Sequence, residues 1–393
     1  VKRFLNVLTP IQQDDRNRWR GGCRPSFGLA GAKGCQSLEG EVSVSGETPK
    51  APFPWFGGKS RVADVIWSRF GNVPNYIEPF FGSGAVLLGR PSQFDGVETV
   101  NDLDGMVANF WRAVKADPEA VAFHAAWPVN ENDLHARHAW LVERKESLQS
   151  QLEGDPDFCD AKVAGWWCWG ICCWIGGRFC SGDGPWQVVE ENGVRKLVHL
   201  GDAGRGVNRR LVHLGDAGRG VNRKRVHLSP GRGVIRKLVH QTRSGIVEWM
   251  NALADRLARV RVCCGDWRRV CGGRTGDALK HFFAAGNRCA VFLDPPYADT
   301  AERRPNIYNK DCLQVAHDVR RWCIDHGGDE RLRICLAGYE GEHDMPDSWE
   351  CVEWKANGGY ASLSDDENVN ARKERLWFSP HCLKPKRERR LFE

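Results

Sequence analysis

Tyr76-Ile77-Glu78-Pro79-Phe80-Phe81-Gly82-Ser83-Gly84 decides how this chain is read. A run of strand-forming residues breaks at a proline, two glycines follow with one residue between them, and Ala85-Val86-Leu87-Leu88 then has helical composition. Strand character returns in Val97-Glu98-Thr99-Val100, so the segment is a strand-turn-helix-strand unit. Glycines after a strand let the backbone approach a ligand closely, and the helix that follows offers free N–H groups. Alone, a G-x-G also fits a tight turn that holds nothing.

The second strand ends in Val100-Asn101-Asp102-Leu103-Asp104. Nucleoside-binding folds place a carboxylate here to accept from both ribose hydroxyls, and Asp102 follows Gly82 by 20 residues, as that arrangement requires. Asp104 is instead expected to cap the helix through Asn109-Phe110-Trp111. Further along, strands are expected at residues 260–264, 290–293, 332–336, 351–354 and 375–378, while residues 105–251 read mostly as helices. This alternation describes an α/β sheet interrupted by a large insertion.

Composition bounds the rest. Of 393 residues, 41% are hydrophobic and 27% charged, which is ordinary for a globular protein. Residues 1–50, rich in Gly, Ser and basic residues without an apolar period, are read as a disordered leader. No secretory signal is apparent at the start, and residues 163–177 fall short of the ~20 needed to cross a bilayer, so a buried helix is expected there, with Trp166, Trp167, Trp169 and Trp174 as core. The sixteen cysteines include the neighbours Cys172-Cys173 and Cys263-Cys264 within apolar runs, which suits packed free thiols in a reducing cytoplasm. Cys168, Cys172, Cys173 and Cys180 lack paired C-x-x-C knuckles, and no metal is expected.

Residues 196–209 recur almost unchanged as 210–223 and in shortened form as 224–236. This block carries a local net charge of +8 within a chain of +6, so the positive balance resides in it. Arg205, Arg219 and Arg232 recur beside glycines at one place in each unit, and with Lys224 and Arg225 they are the candidate contacts to DNA phosphates. The alternative is a solvated, duplicated loop.

Val291-Phe292-Leu293-Asp294-Pro295-Pro296-Tyr297 is the strongest local signal: a strand delivers an aspartate into a turn stiffened by two prolines, with an aromatic ring immediately after. Cys263-Cys264-Gly265-Asp266-Trp267 ends the preceding strand, where Trp267 suits stacking on a base and Asp266 suits accepting from an amino group; Trp267 suits core packing equally well.

Together these residues resemble the Dam-type DNA adenine methylases. Trp55-Phe56-Gly57-Gly58-Lys59 is similar to the family's W-x-G-G-K element, residues 78–84 to its E-P-F-x-G-x-G element, and residues 294–297 to its D-P-P-Y element. Residues 373–378 resemble its last strand, and the likeness spans about residues 54–383. The motif order is that of the alpha group of amino-methyltransferases. The repeat block departs from the family's core.

The resemblance implies a Rossmann-like methyltransferase sheet whose cofactor part is 51–104 and catalytic part 244–393, with 105–243 an inserted helical, loop-rich target-recognition region that includes repeats 196–236. It implies that the chain transfers a methyl group from S-adenosylmethionine to the N6 amino group of adenine in double-stranded DNA. Asp294 and the Pro295 carbonyl would accept from that amino group, which is a poor nucleophile until its lone pair is localised; Pro296 stiffens the turn and Tyr297 supplies a ring for a base turned out of the stack. Trp55, Gly57, Gly58, Lys59, Glu78, Phe81, Gly82, Gly84, Asp102, Asp266 and Asp294 are the expected cofactor contacts. Cytosine N4, an RNA base, or DNA binding without turnover are the alternatives; Asp before Pro-Pro-Tyr favours adenine. No membrane or obligatory protein partner is expected, and the setting is a prokaryotic or phage-infected cytoplasm, in restriction-modification or phage defence.

Overall fold

The computed structural model describes residues 49–55, 57–91, 96–174, 179–180, 186–191, 194–199, 243–272, 287–296, 314–354 and 374–384. The chain runs through α1 (Ala63–Phe70), β1 (Asn75–Glu78), α2 (Ala85–Leu88), β2 (Val97–Asp102), α3 (Gly105–Ala116), α4 (Pro118–Ala125), α5 (Glu131–Gly154) and α6 (Ala161–Cys173). Then come the strands β3 (Trp186–Glu191) and β4 (Val194–His199), α7 (Arg243–Leu257), β5 (Val260–Cys264), α8 (Arg268–Cys271) and β6 (Cys289–Leu293). The last elements are α9 (Gln314–His326), β7 (Leu332–Tyr339), β8 (Glu350–Glu353) and β9 (Glu374–Phe378).

Seven strands form one sheet in the order β5-β2-β1-β6-β7-β9-β8. The first five are parallel, and β9 runs antiparallel to both β7 and β8. All seven lie where the sequence places strands, in an α/β arrangement consistent with a Rossmann-like methyltransferase fold. The chain builds outward from β1 through β2 to β5, then returns to the other side of β1 with β6 and β7. The order therefore reverses between β1 and β6, and the carboxyl ends of strands at such a switch point open a crevice.

The two sheet faces separate by the two-residue period of a strand. Tyr76, Ala290 and Phe292 point into one core; Ile77, Cys289, Val291 and Leu293 point into the other. The second face is covered by α8 and α9 through Val270, Cys271, Val319, Trp322 and Cys323. On the first, Met106 and Trp111 of α3, Trp167 and Trp169 of α6, and Met250 of α7 join the same core as the strands. Asp104 caps α3 by accepting from the Met106 N–H, and Asp160 caps α6 through Val163. Cys168, Cys172 and Cys173 are free thiols buried in this core. Among the described residues no helix is long and apolar enough to cross a membrane, and no cluster of His, Cys, Asp or Glu is arranged to hold a metal.

One departure concerns residues 186–199, which pair as an antiparallel hairpin of β3 and β4 rather than continuing the helices. Asn192-Gly193 between two β-branched runs is a hairpin signal that the helical reading passed over. The hairpin takes in the first four residues of the repeat block; residues 200–242, with Arg205, Arg219, Lys224, Arg225 and Arg232, lie outside the described residues.

Candidate functional site

At the carboxyl ends of β1, β2 and β6 lies an open cleft, lined mostly by apolar side chains with Asp102 and Asp294 among them. Its wall against β1 is the glycine turn. Gly82 sits at φ +47° and Gly84 at φ +62°, the left-handed region that favours glycine. A Cβ on Gly82 would run into the Trp55 indole, and one on Gly84 would come within 2.7 Å of Cζ of Phe81. The Gly82 carbonyl accepts from Trp111 Nε1 at 2.8 Å, which ties the turn to α3.

Asp102 closes the opposite side of the turn. Its Oδ2 accepts from the Gly82 N–H at 2.8 Å and its Oδ1 from the Asp104 N–H at 2.9 Å. A carboxylate has about four acceptor positions, so both oxygens keep capacity for a ligand. Burial pushes its pKa up to about 7, against the pull of these backbone donors. Asn101, which sequence reasoning missed, fastens three strand ends: its Nδ2 donates to Pro79 O at 3.1 Å and to Gly265 O at 2.9 Å. A lone amide in a strand carries no pattern that could have found it.

Glu78 lines the cleft but is almost wholly buried, and it accepts from the Tyr76 hydroxyl at 2.8 Å. Burial drives its pKa well above the usual carboxylate range. Asp294, in the chain just after β6, is reached by Lys59 from the loop before α1, Nζ to Oδ2 at 2.9 Å. The ammonium also donates to Gly57 O at 3.0 Å. Burial pushes Asp294 up while Lys59 opposes the shift.

Of the expected cofactor contacts, Trp55, Gly57, Gly58, Lys59, Glu78, Phe81, Gly82, Asp102, Asp266 and Asp294 line this one cleft, and Gly84 stands behind it under the Phe81 ring. Pro296 lines it, Pro295 is buried and does not, and Tyr297 lies outside the described residues. Asp266 is exposed and turned toward Arg268, accepting from its N–H at 2.9 Å and pairing with its guanidinium at 3.4 Å. Trp267 borders the cleft and packs in the second core, its ring 6.3 Å from both Phe80 and Trp322. Phe80, Ser83, Phe292 and, from α9, Val315 also line the walls and were not anticipated, since apolar or small side chains look like core from sequence alone.

Residues 55–149 match the model of a family described as D12 class N6 adenine-specific DNA methyltransferase. No curated protein matches the chain. The matched span begins at Trp55, runs through the glycine turn and Asp102, and ends within α5; it agrees with the resemblance to Dam-type adenine methylases and indicates an adenine-specific DNA methyltransferase.

Proposed function

We propose that this chain, with its D12-class match, transfers a methyl group from S-adenosylmethionine to the N6 amino group of an adenine turned out of duplex DNA. The observation that carries the reading is the recessed Asp294 carboxylate, 21% exposed and held by Lys59, in the same cleft as Asp102 and the glycine turn.

The residues present suit that cofactor. Asp102 has acceptor capacity for a ribose hydroxyl pair, the bare Gly82 lets the Trp55 indole lie against the turn at the cleft wall, and Phe80 and Trp267 offer apolar ring surface. When bound, S-adenosylmethionine supplies a methyl group already activated by its sulfonium. The protein's task is then alignment and electrostatics. Asp294 accepts from the target amino group, localising its lone pair, and the spare proton passes to water.

Because Asp294 is recessed, an amino group stacked within a duplex cannot reach it, which supports extrusion of the base. Tyr297, next after Pro296, supplies a ring to hold that base. On this reading residues 105–243 recognise the target and Arg205, Arg219, Lys224, Arg225 and Arg232 meet phosphates. The enzyme works on DNA in a prokaryotic or phage-infected cytoplasm.

The test is incubation of the chain with unmethylated duplex DNA and methyl-labelled S-adenosylmethionine, followed by mass spectrometry of the nucleosides. Label in N6-methyladenine is expected. Label in N4-methylcytosine or only in RNA would move the reading to those bases, and bound DNA without label would make the chain a binding module.

A further inference from the structure

A third buried charge stands beside the Lys59–Asp294 pair. Glu374 opens β9, and its antiparallel register against Tyr339 sets it at the carboxyl end of β7, the edge of the sheet that also bears Asp294. Its side chain is 5% exposed, and Oε2 lies 3.8 Å from Lys59 Nζ, while the ammonium is 2.9 Å from Asp294 Oδ2. Arg375, next in the strand, is directed to Glu340 and Glu353 at 3.0 and 3.4 Å. The Trp354 ring centre is 5.7 Å from Lys59 Nζ. Burial alone would favour the neutral amine; the two carboxylates outweigh it and hold the Lys59 pKa above its ordinary value.

An ammonium has three donors on a flexible stem, so opposite a single carboxylate it can sit across both oxygens. An aspartate that accepts from a substrate amino group needs one oxygen clear of that cation. A second carboxylate beside the ammonium restrains it.

We propose that Glu374 is a positioning residue for methyl transfer: by sharing Lys59 with Asp294, it keeps the ammonium on one Asp294 oxygen and leaves the other for the target amino group. This rests on the reading of Asp294 as the amino acceptor. Glu374 acts through Lys59 and touches neither substrate nor donor.

The test uses the full chain with Glu374→Gln, which keeps shape and removes charge, with Glu374→Asp as a milder companion, and with Lys59→Met alone and combined with Glu374→Gln. Single-turnover methyl transfer at saturating donor and DNA is one readout. Titration of Lys59 by nuclear magnetic resonance with isotope-labelled lysine, without donor or DNA, is the other.

Glu374→Gln should slow transfer roughly 10- to 100-fold, the range typical of outer partners that orient a reactive group, with unchanged affinity for donor and DNA and a lowered Lys59 pKa. Glu374→Asp should lie between, and it carries both readouts should Glu374→Gln not fold. Once Lys59 is Met, Glu374→Gln should bring no further loss. A wild-type transfer rate, an unmoved Lys59 titration, or a loss that multiplies with that of Lys59→Met overturns the proposal. If the wild-type chain methylates no adenine, the Asp294 assignment falls separately; the Lys59 titration then supports or overturns the shared ammonium by itself.

Discussion

Asp102→Ala separates two things that one carboxylate does. As a staple, Asp102 takes the Gly82 and Asp104 N–H groups at 2.8 and 2.9 Å, and the first of these fixes the turn at φ +47° that lets Trp55 lie against bare backbone. Removing it orphans both donors, at about 1–3 kcal/mol for each that stays buried and unsatisfied. Against this, a carboxylate whose pKa burial lifts to about 7 is strained by its own charge, and its loss returns part of that cost. The sign follows from linkage: the folded pKa lies above the unfolded value, so the stabilisation from Asp102 is full below the unfolded pKa and declines as pH rises through about 7. The variant should therefore be destabilised more at pH 5 than at pH 8.

As a ligand, Asp102 offers the proposed ribose hydroxyls a charged acceptor worth about 1.5–3 kcal/mol, so the variant should bind S-adenosylmethionine about 10- to 150-fold more weakly. Calorimetric titration at pH 8, on protein shown to be folded by thermal unfolding at both pH values, measures the two effects separately. A folded variant with affinity within about threefold of wild type would leave Asp102 only the staple. A destabilisation larger at pH 8 than at pH 5 would refute the burial argument.

Asp294→Ala should abolish methylation while leaving DNA binding largely intact, and a near wild-type single-turnover rate would remove Asp294 from catalysis. Gly82→Ala should cost about 1–2 kcal/mol for its left-handed backbone and displace the Trp55 indole. Its donor affinity should fall further than in Gly58→Ala, whose nearest neighbours would stand 3.8 and 3.9 Å away; equal losses in titration would show that the close approach at Gly82 is unused. Replacing Arg205, Arg219 and Arg232 together with Ala should weaken binding to cognate and scrambled duplexes alike and flatten the log–log salt slope by up to about 0.9 per contact. A loss confined to preference at one base pair, of roughly 1–3 kcal/mol, would instead assign these arginines to guanine edges, and no change in either would make the block a passive loop.

What the sequence determined by itself is whatever acts over a few residues. Cys289–Leu293 is apolar at every position because its strand is buried on both faces. Asp104 stands one residue before α3, so its cap is a local matter of side-chain length. The backbone freedom of Gly82 and Gly84 is equally local.

Only the tertiary structure decided which distant residues share a cleft. Lys59 and Glu374 come from opposite ends of the described chain and meet Asp294 because β6, β7 and β9 are neighbours in the sheet, an order no spacing reveals. Asn101 joins the ends of β1, β2 and β5 for the same reason. Asp266 turns toward Arg268, accepting from its N–H at 2.9 Å, a local turn contact rather than one set by strand order. Residue types follow from local chemistry and burial; their assembly into a site depends on strand order, which is set when the two cores close on either face of the sheet.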